Sequence, residues 1–162
     1  MHPEMVLTEA GFGDWLTTLL VSMLPVIELR GAIPIGCALG LPVWKAAAVS
    51  IIGNMIPVPF ITTFIRYVFD WLRRLSPGLD AWVERITQKA WSKSGNIQKY
   101  EFWGLVLFVA VPLPGTGAWT GALIASLLNF SMKKTIGGIL CGVLIAAVLI
   151  SLATAGVISF IL

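Results

Sequence analysis

The sequence predicts an all-α integral membrane protein, on three observations. Of its 162 residues, 57% are hydrophobic and only 12% are charged, whereas a soluble domain carries about 25% charged residues. The apolar residues lie in long runs, as membrane-spanning helices require. Prolines and glycines interrupt two of these runs in the middle, which favours re-entrant helical hairpins over straight helices. We therefore expect an inverted repeat in which each half is a re-entrant hairpin followed by a transmembrane helix.

The expected organisation is a single membrane domain over residues 1–162, whose parts differ in composition. In order, they are an N-terminal tail (1–14), a first re-entrant hairpin (15–44), a transmembrane helix (45–70), an amphipathic basic cytoplasmic connector (71–100), a second re-entrant hairpin (101–132) and a last transmembrane helix (133–162). The arms of each hairpin have 10 to 15 residues, or roughly 15–22 Å as helix, which is too short to span. The alternative is a pair of long, kinked transmembrane helices.

The first interrupted run surrounds two charged residues. Thirteen uncharged residues precede Glu28, and fourteen follow Arg30. Each charge costs about 2.5–3.5 kcal/mol at mid-membrane, so ionisable residues at that depth are candidates for function. We expect Glu28 to be a proton-coupling residue and Arg30 to bind an anion, because a guanidinium matches phosphate or carboxylate. The structural alternative is a buried ion pair that fixes the hairpin tip.

Further candidates for substrate contact lie near these two charges and in the next helix. In the first hairpin, Gly31, Pro34 and Gly36 belong to the predicted break, where irregular backbone must face protein or a wet cavity. Asn54 lies inside the following transmembrane helix. An amide in that position packs across helices or contacts a ligand, and both alternatives stay open.

The connector has one apolar face and one basic face. Trp82, Ile86 and Ala90 follow one another at four-residue spacing, while Arg85 and Lys89 lie on the other face. Such a helix is typical of a membrane-surface anchor, with a regulatory or partner-binding role as the alternative. Before it, Arg66 and Asp70 are expected to form a solvated pair or a membrane anchor, and Ser76-Pro77-Gly78 a turn.

The second hairpin has an uncharged tip rich in proline and glycine. Half-helix ends at such a tip present backbone dipoles that suit an anion, and its hydroxyl and indole groups line a cavity. Its candidate residues are Pro112, Pro114, Gly115, Thr116, Gly117 and Trp119. The alternative is close helix packing through small residues, which is also the expectation for Gly137, Gly138 and Gly142.

Positive charges predict the topology. With re-entrant hairpins, nine lysines and arginines fall on one side of the membrane and Lys45 alone on the other. The positive-inside rule then places 66–101 in the cytoplasm and both termini outside. The halves also align weakly at an offset of 87, which pairs Trp15 with Phe102, Pro25 with Pro112 and Leu41 with Leu128.

Several classes of activity are not expected. The one histidine, His2, is terminal, and no nucleophile motif or metal-ligand cluster is present in the sequence, so we expect no enzyme, metal or cofactor. Cys37 and Cys141 lie in apolar runs and are expected to be small buried hydrophobes, a disulfide or metal pair being the alternative. The net charge of +3 is a topology signal and gives no reason to expect nucleic acid as a partner.

Two segments of the chain resemble the signature segments of a known family. Residues 28–36, ELRGAIPIG, and residues 112–119, PLPGTGAW, are similar to those of the small multidrug export proteins of bacteria and archaea. The resemblance covers essentially the whole chain. It implies a place in the DedA/VTT superfamily, whose members pair re-entrant hairpins with transmembrane helices and are linked to proton-dependent transport and lipid-phosphate translocation. Glu28 would match the superfamily's acidic residue, and Pro112, Pro114 and Gly115 the second break. The arginines that DedA proteins carry around the second hairpin are absent from residues 102–132.

The expected function is therefore transport across a prokaryotic plasma membrane. The substrate would be an amphipathic small molecule or a lipid phosphate, moved with protons through a site between the two hairpin tips. The lipid bilayer and a second copy of the chain in a homodimer are the expected partners. Uncoupled flipping or scrambling of lipids, such as undecaprenyl phosphate or phospholipid, is the alternative. A membrane assembly protein that transports nothing is the third reading.

Overall fold

A computed structural model describes residues 11–93, 100–113 and 115–161 of the chain. The regular elements within these residues are helices. They are α1 (Phe12–Met23), α2 (Glu28–Ala38), α3 (Val43–Met55), α4 (Pro57–Leu75), α5 (Pro77–Lys93), α6 (Glu101–Ala110), α7 (Ala118–Leu127) and α8 (Met132–Ile161). Two stretches are long and apolar enough to cross a membrane, Val43–Leu75 and Met132–Phe160. An all-α membrane protein is confirmed at this level, whereas re-entrant insertion and inverted symmetry stay predictions.

The chain divides into two compact units. Unit 1 comprises Met1–Ile56 and Val143–Leu162, and unit 2 comprises Pro57–Gly142. Unit 1 therefore contains α1, α2, α3 and the C-terminal part of α8, while unit 2 contains α4 to α7 and the N-terminal part of α8. Parts of the predicted tail (1–10) and connector (94–99), together with Pro114 and Leu162, lie outside the described residues.

The first helix pair breaks where proline predicts, but the break is short. Leu24 leaves α1 in an extended conformation, with φ −73° and ψ 135°, because the residue before a proline is driven out of the helical region. The chain is helical again from Glu28 and stays so through Pro34 to Ala38. The prediction that 28–36 forms an irregular tip is wrong. Leu29, Ala32 and Ile33 are buried on one face of α2, and that packing stabilises the helix despite its proline.

In unit 1 the chain returns to the end from which it started. The amide of Gly40, which has φ 95°, donates to the Cys37 carbonyl, and the amide of Leu41 donates to the Gly36 carbonyl. This pair of bonds is a Schellman turn, which ends a helix sharply and redirects the chain. After it, the Nζ atom of Lys45 near the start of α3 lies 5.5 Å from the ring centre of Trp15 near the start of α1. The starts of α1 and α3 therefore lie together.

Glycines bring the three helices of unit 1 into backbone contact. A Cβ placed on Gly36 would lie 3.0 Å from both Thr18 and Ala46, so α2 packs against both α1 and α3 at this level. A Cβ on Gly53 would lie 2.6 Å from the Leu19 carbonyl oxygen of α1. From Ala46 to Gly53, α3 thus runs along α1 in the same direction, toward the loop that joins α1 to α2.

Unit 2 repeats these local features. The amide of Asn129, with φ 56°, donates to the Ser126 carbonyl, and the amide of Phe130 donates to the Ala125 carbonyl, which makes a second Schellman turn. Lys134 near the start of α8 forms an ion pair with Glu101 at the start of α6. The starts of α6 and α8 therefore also lie together.

The spacing of these features is regular along the chain. Met23 and Ala110, which end α1 and α6, are 87 residues apart. Ala38 and Leu127, which end α2 and α7, are 89 residues apart. The offset of 87 that pairs Pro25 with Pro112 therefore holds at the ends of α1 and α6, whereas their starts, Phe12 and Glu101, are 89 residues apart. Beyond the loop the offset is 89 at the helix ends, and the second loop (111–117) has seven residues where the first (24–27) has four.

Close glycine contacts recur at the same offset. Gly142 on α8 follows Gly53 by 89 residues. A Cβ on Gly142 would lie 2.8 Å from the Val106 carbonyl oxygen of α6, as one on Gly53 would meet a carbonyl of α1. The expectation of close packing at Gly142 agrees with this contact.

The long apolar segment after the first pair is not one regular helix. Pro57 has no N–H to donate to the Gly53 carbonyl, and α3 and α4 are separated at Ile56. The spanning helix expected over 45–70 is thus two helices, which end at Leu75. Ser76 then caps α5, because its Oγ accepts the Leu79 amide at 3.3 Å.

Arg66 of α4 makes a contact that the sequence did not indicate, whereas the exposure of residues on α5 leaves its role as a membrane-surface anchor a prediction. Arg66 is not simply solvated, because its Nη2 donates at 2.6 Å to the carbonyl of Phe130, just beyond the end of α7. On α5, Val83 is fully buried, while Trp82 of the expected apolar face is 52% exposed.

The two close glycine contacts generate the first prediction. Gly53→Ala and Gly142→Ala should each lower the melting temperature in detergent, because an added methyl group must displace backbone, at a typical cost of about 1–3 kcal/mol. Gly156→Ala on α8 is the matched control, since a Cβ there meets nothing within 4 Å. Equal melting temperatures for all three variants would contradict the packing described.

Candidate functional site

A cavity in unit 1 lies between α2 and the C-terminal part of α8. Its volume is about 530 Å³, within the range of small-molecule sites. The lining is apolar except for one charged side chain, one thiol and one hydroxyl. The residues are Arg30, Pro34, Cys37, Ala38, Ile150, Ala153, Thr154, Val157 and Ile158. We refer to this cavity as the Arg30 groove.

Arg30 supplies the charge of the groove. It lies in the first turn of α2 and is partly exposed. The hydroxyl of Thr154, on the opposite wall, already donates to the Ile150 carbonyl at 2.8 Å. The guanidinium is therefore the group in the lining best suited to bind an anion, because it carries five donors in a planar fork.

Glu28 lies two residues before Arg30 and is almost completely buried, with 5% exposure. It interacts electrostatically with Arg30, so the two charges that the sequence singles out act on each other. The start of a helix favours a carboxylate, because the helix dipole is positive there. Glu28 also has a positive φ of 51°, a left-handed conformation that costs a residue other than glycine roughly 1–2 kcal/mol. A strained, buried carboxylate is more typical of a functional position than of a structural one.

The other predicted residues of α2 divide between the groove and the core. Pro34 lines the groove, and it has no backbone N–H to donate along α2. Gly36 is a packing position against α1 and α3. Gly31 lies against Ile27, whose Cγ2 would be 2.3 Å from an added Cβ. Of the three, the structure therefore brings Pro34 to the groove with Arg30.

Asn54 lies on α3 and is fully buried, with 0% exposure. Neither its Nδ2 nor its Oδ1 has a hydrogen-bond partner. Ser50, one helical turn earlier, is also fully buried, and its Oγ likewise lacks a partner. Asn54 does not line the Arg30 groove.

The predicted residues of the second tip lie in unit 2, on the loop from Val111 to Gly117 and the start of α7. Thr116 donates its hydroxyl to carbonyls of its own loop, at 2.7 Å to Val111 and 2.8 Å to Leu113. Gly115 and Gly117 have φ values of 81° and 142°, so they permit the turn. These hydrogen bonds link Thr116 back to earlier residues of the same loop.

The remaining residues of that tip differ in their exposure. Pro112 is exposed, and Trp119 is partly exposed in the first turn of α7. Pro114 lies outside the described residues. Because the two loops belong to different units, the expected site between them stays a prediction.

A second cavity, in unit 2, was not expected from the sequence. Its volume is about 330 Å³. The lining is mostly polar, and comprises Arg66, Phe69, Asp70, Arg73, Thr87, Ser126, Leu127 and Asn129. Both guanidinium groups already have structural partners: Arg66 binds the Phe130 carbonyl, and Arg73 binds Asp80 and Glu84. This cavity is the weaker candidate for that reason. Among the residues that the structure describes, no cluster of three or more His, Cys, Asp or Glu residues could hold a metal ion.

Sequence reasoning missed Cys37, Ser50 and the α8 wall of the groove. One signal was available: Arg30, Pro34, Cys37 and Ala38 follow helical spacing once α2 is known to be regular. The wall from Ile150 to Ile158 carries no such signal, since its residues look like any lipid-facing helix.

The model of the family described as "Putative small multi-drug export protein" matches residues 28–149, well over half of the chain. The resemblance noted in the two motif segments is therefore confirmed at the level of this family, and the DedA/VTT placement stays a prediction. No curated protein and no solved structure matches the chain.

The backbone of Glu28 gives a prediction that tests its strained conformation apart from its carboxylate. Glu28→Gly should be more stable than Glu28→Ala by about 1 kcal/mol, because only glycine removes the strain of the positive φ. Both variants lose the carboxylate equally, so the comparison isolates the backbone. Thermal unfolding in one detergent would measure it, and an alanine variant as stable as the glycine variant would contradict the strained conformation.

Proposed function

The chain belongs to the small multi-drug export family, and from that premise we propose that it transports amphipathic anions across the membrane through the Arg30 groove. Arg30 binds the anionic group, and the apolar walls contact the hydrocarbon part. Amphipathic small molecules and lipid phosphates both have this chemistry.

One observation supports the proposal above the others: a single guanidinium lies in an otherwise largely apolar lining. An arginine in such surroundings gains more from a bound anion than it does in water, because the local dielectric constant is low. Its fork binds phosphate, sulfonate or carboxylate through two parallel hydrogen bonds. The walls at Pro34, Ile150 and Val157 then favour an alkyl chain over a wholly polar anion.

Glu28 links anion binding to protons in this proposal. When Glu28 is ionised it compensates the charge of Arg30, and when it takes up a proton Arg30 is available to the substrate. Anion binding therefore strengthens as pH falls, since protonation of Glu28 removes the competing carboxylate. The gradients of anion and proton together set the direction of net transport.

The other charges in the described part of unit 1, Asp14 and Lys45, lie too far away to replace this link. Asp14 lies at the start of α1 and Lys45 at the start of α3, the end of the unit opposite the α1–α2 loop. Cys37, on α2, is the remaining titratable side chain of the groove. The described part of α8 in unit 1, residues 143–161, carries no charge.

Proteoliposomes test the function directly. We expect uptake of labelled decyl sulfonate, whose charge does not change with pH, to rise when the outside is made acidic. Arg30→Gln should abolish uptake, whereas Glu28→Gln should leave uptake that no longer responds to the pH gradient. Lys45→Gln is the matched control, because it removes a cation from the other end of unit 1, and it should behave as wild type.

Two results would contradict the proposal. A Glu28→Gln variant that still follows the pH gradient would exclude Glu28 as the coupling group. Movement of labelled phospholipid without any gradient, unchanged by Arg30→Gln, would identify an uncoupled scramblase.

A further inference from the structure

Ser50 and Asn54 form a polar face in the interior of unit 1 that the proposed function does not yet use. The two residues are one turn apart on α3, so their side chains lie on the same side of the helix. Both are 0% exposed, and three of their polar atoms have no partner: Ser50 Oγ, Asn54 Nδ2 and Asn54 Oδ1. Buried polar groups in proteins are almost always hydrogen-bonded, to protein or to water.

The unpartnered groups include both hydrogen-bond donors and acceptors, and this combination indicates which ligand binds there. A bare cation would satisfy Asn54 Oδ1 but leave the Nδ2 donor unpaired. A water molecule both donates and accepts, and buried waters typically make about three bonds to such groups. Pro57 adds to the acceptors, because it cannot donate to the Gly53 carbonyl one residue before Asn54. Water is thus the ligand that satisfies the whole set.

Counting helical residues from a shared contact puts this face at roughly the same level along the helices of unit 1 as Glu28. At one level, Gly36 of α2 lies against Ala46 of α3. Eight residues along α3 lead from Ala46 to Asn54, and eight residues back along α2 lead from Gly36 to Glu28. Both helical segments run from that level toward the α1–α2 loop, and each advances roughly 12 Å along its axis at 1.5 Å per residue.

We propose that Ser50 and Asn54 hold internal water through which protons reach the buried carboxyl of Glu28. Glu28 is only 5% exposed, so a proton needs a hydrated path to reach it. Asn54 orients that water and does not itself release a proton, which makes it a positioning residue. The inference rests on the proposed role of Glu28 as the proton-coupling group, with Arg30 as the nearest charge and Asp14 and Lys45 at the far end of the unit.

Infrared spectroscopy of the full chain in nanodiscs tests this water path apart from transport. The carboxyl band of protonated Glu28 is identified by its loss in Glu28→Gln, and its shift on transfer to D₂O reports the rate of proton exchange. Asn54→Leu, which keeps the volume but not the amide, should slow this exchange several-fold. Asn54→Ser, which leaves a hydroxyl and room for water, should restore it, and Ile52→Leu on the exposed side of α3 should match wild type.

The outcomes are distinguishable. Exchange at the wild-type rate in Asn54→Leu overturns the inference, even if transport responds to pH as proposed. Slowed exchange with no anion transport by the wild-type chain supports the water path and overturns the proposed function. Should Asn54→Leu fail to fold, Ser50→Ala removes one of the three groups and should slow exchange to a smaller extent. A Glu28 band that is absent at every pH overturns both.

Discussion

The contact of α3 with α1 at Gly53 is the constraint on which the described arrangement of unit 1 depends. It brings the helix backbones together, and with Gly36 it fixes all three short helices relative to one another. Helices of 12, 11 and 13 residues reach only about 16–20 Å each. Isolated helices of this length are marginal, so packing rather than propensity must hold them. The similar level of Glu28 and Asn54 along these helices follows from this packing.

The two units share one chain path but differ in the chemistry of their loops. In each, the chain leaves and returns to one end, through Lys45 over Trp15 in unit 1 and Lys134 with Glu101 in unit 2. In unit 1 the residues after the loop include the charged Glu28 and Arg30, and Arg30 lines a groove. In unit 2 the loop closes through the Thr116 hydroxyl and carries no charge. The features that support a transport site are therefore found mainly in unit 1.

Much of the fold and of the candidate site could be predicted from the sequence. Proline and glycine marked both helix breaks, and the cost of charge at mid-membrane singled out Glu28 and Arg30. The extent of the first break could not be predicted, because burial of one face of α2 outweighs the effect of Pro34. The partner of Arg66 could not be predicted either. Phe130 is 64 residues away along the chain, and no local sequence pattern links the two residues.

We propose that α1 and α2 turn back within the membrane, so that Glu28 and Arg30 lie near mid-depth, and the transport site depends on this. Single cysteines at Gly13 and Trp44, in a Cys37→Ala, Cys141→Ala background, test it most directly with a membrane-impermeant maleimide on intact cells. The account predicts that both sites react from outside, while a cysteine at Arg74 reacts only after permeabilisation. Labelling of positions 13 and 44 from opposite sides would show that this pair of helices crosses the membrane, and would contradict the account.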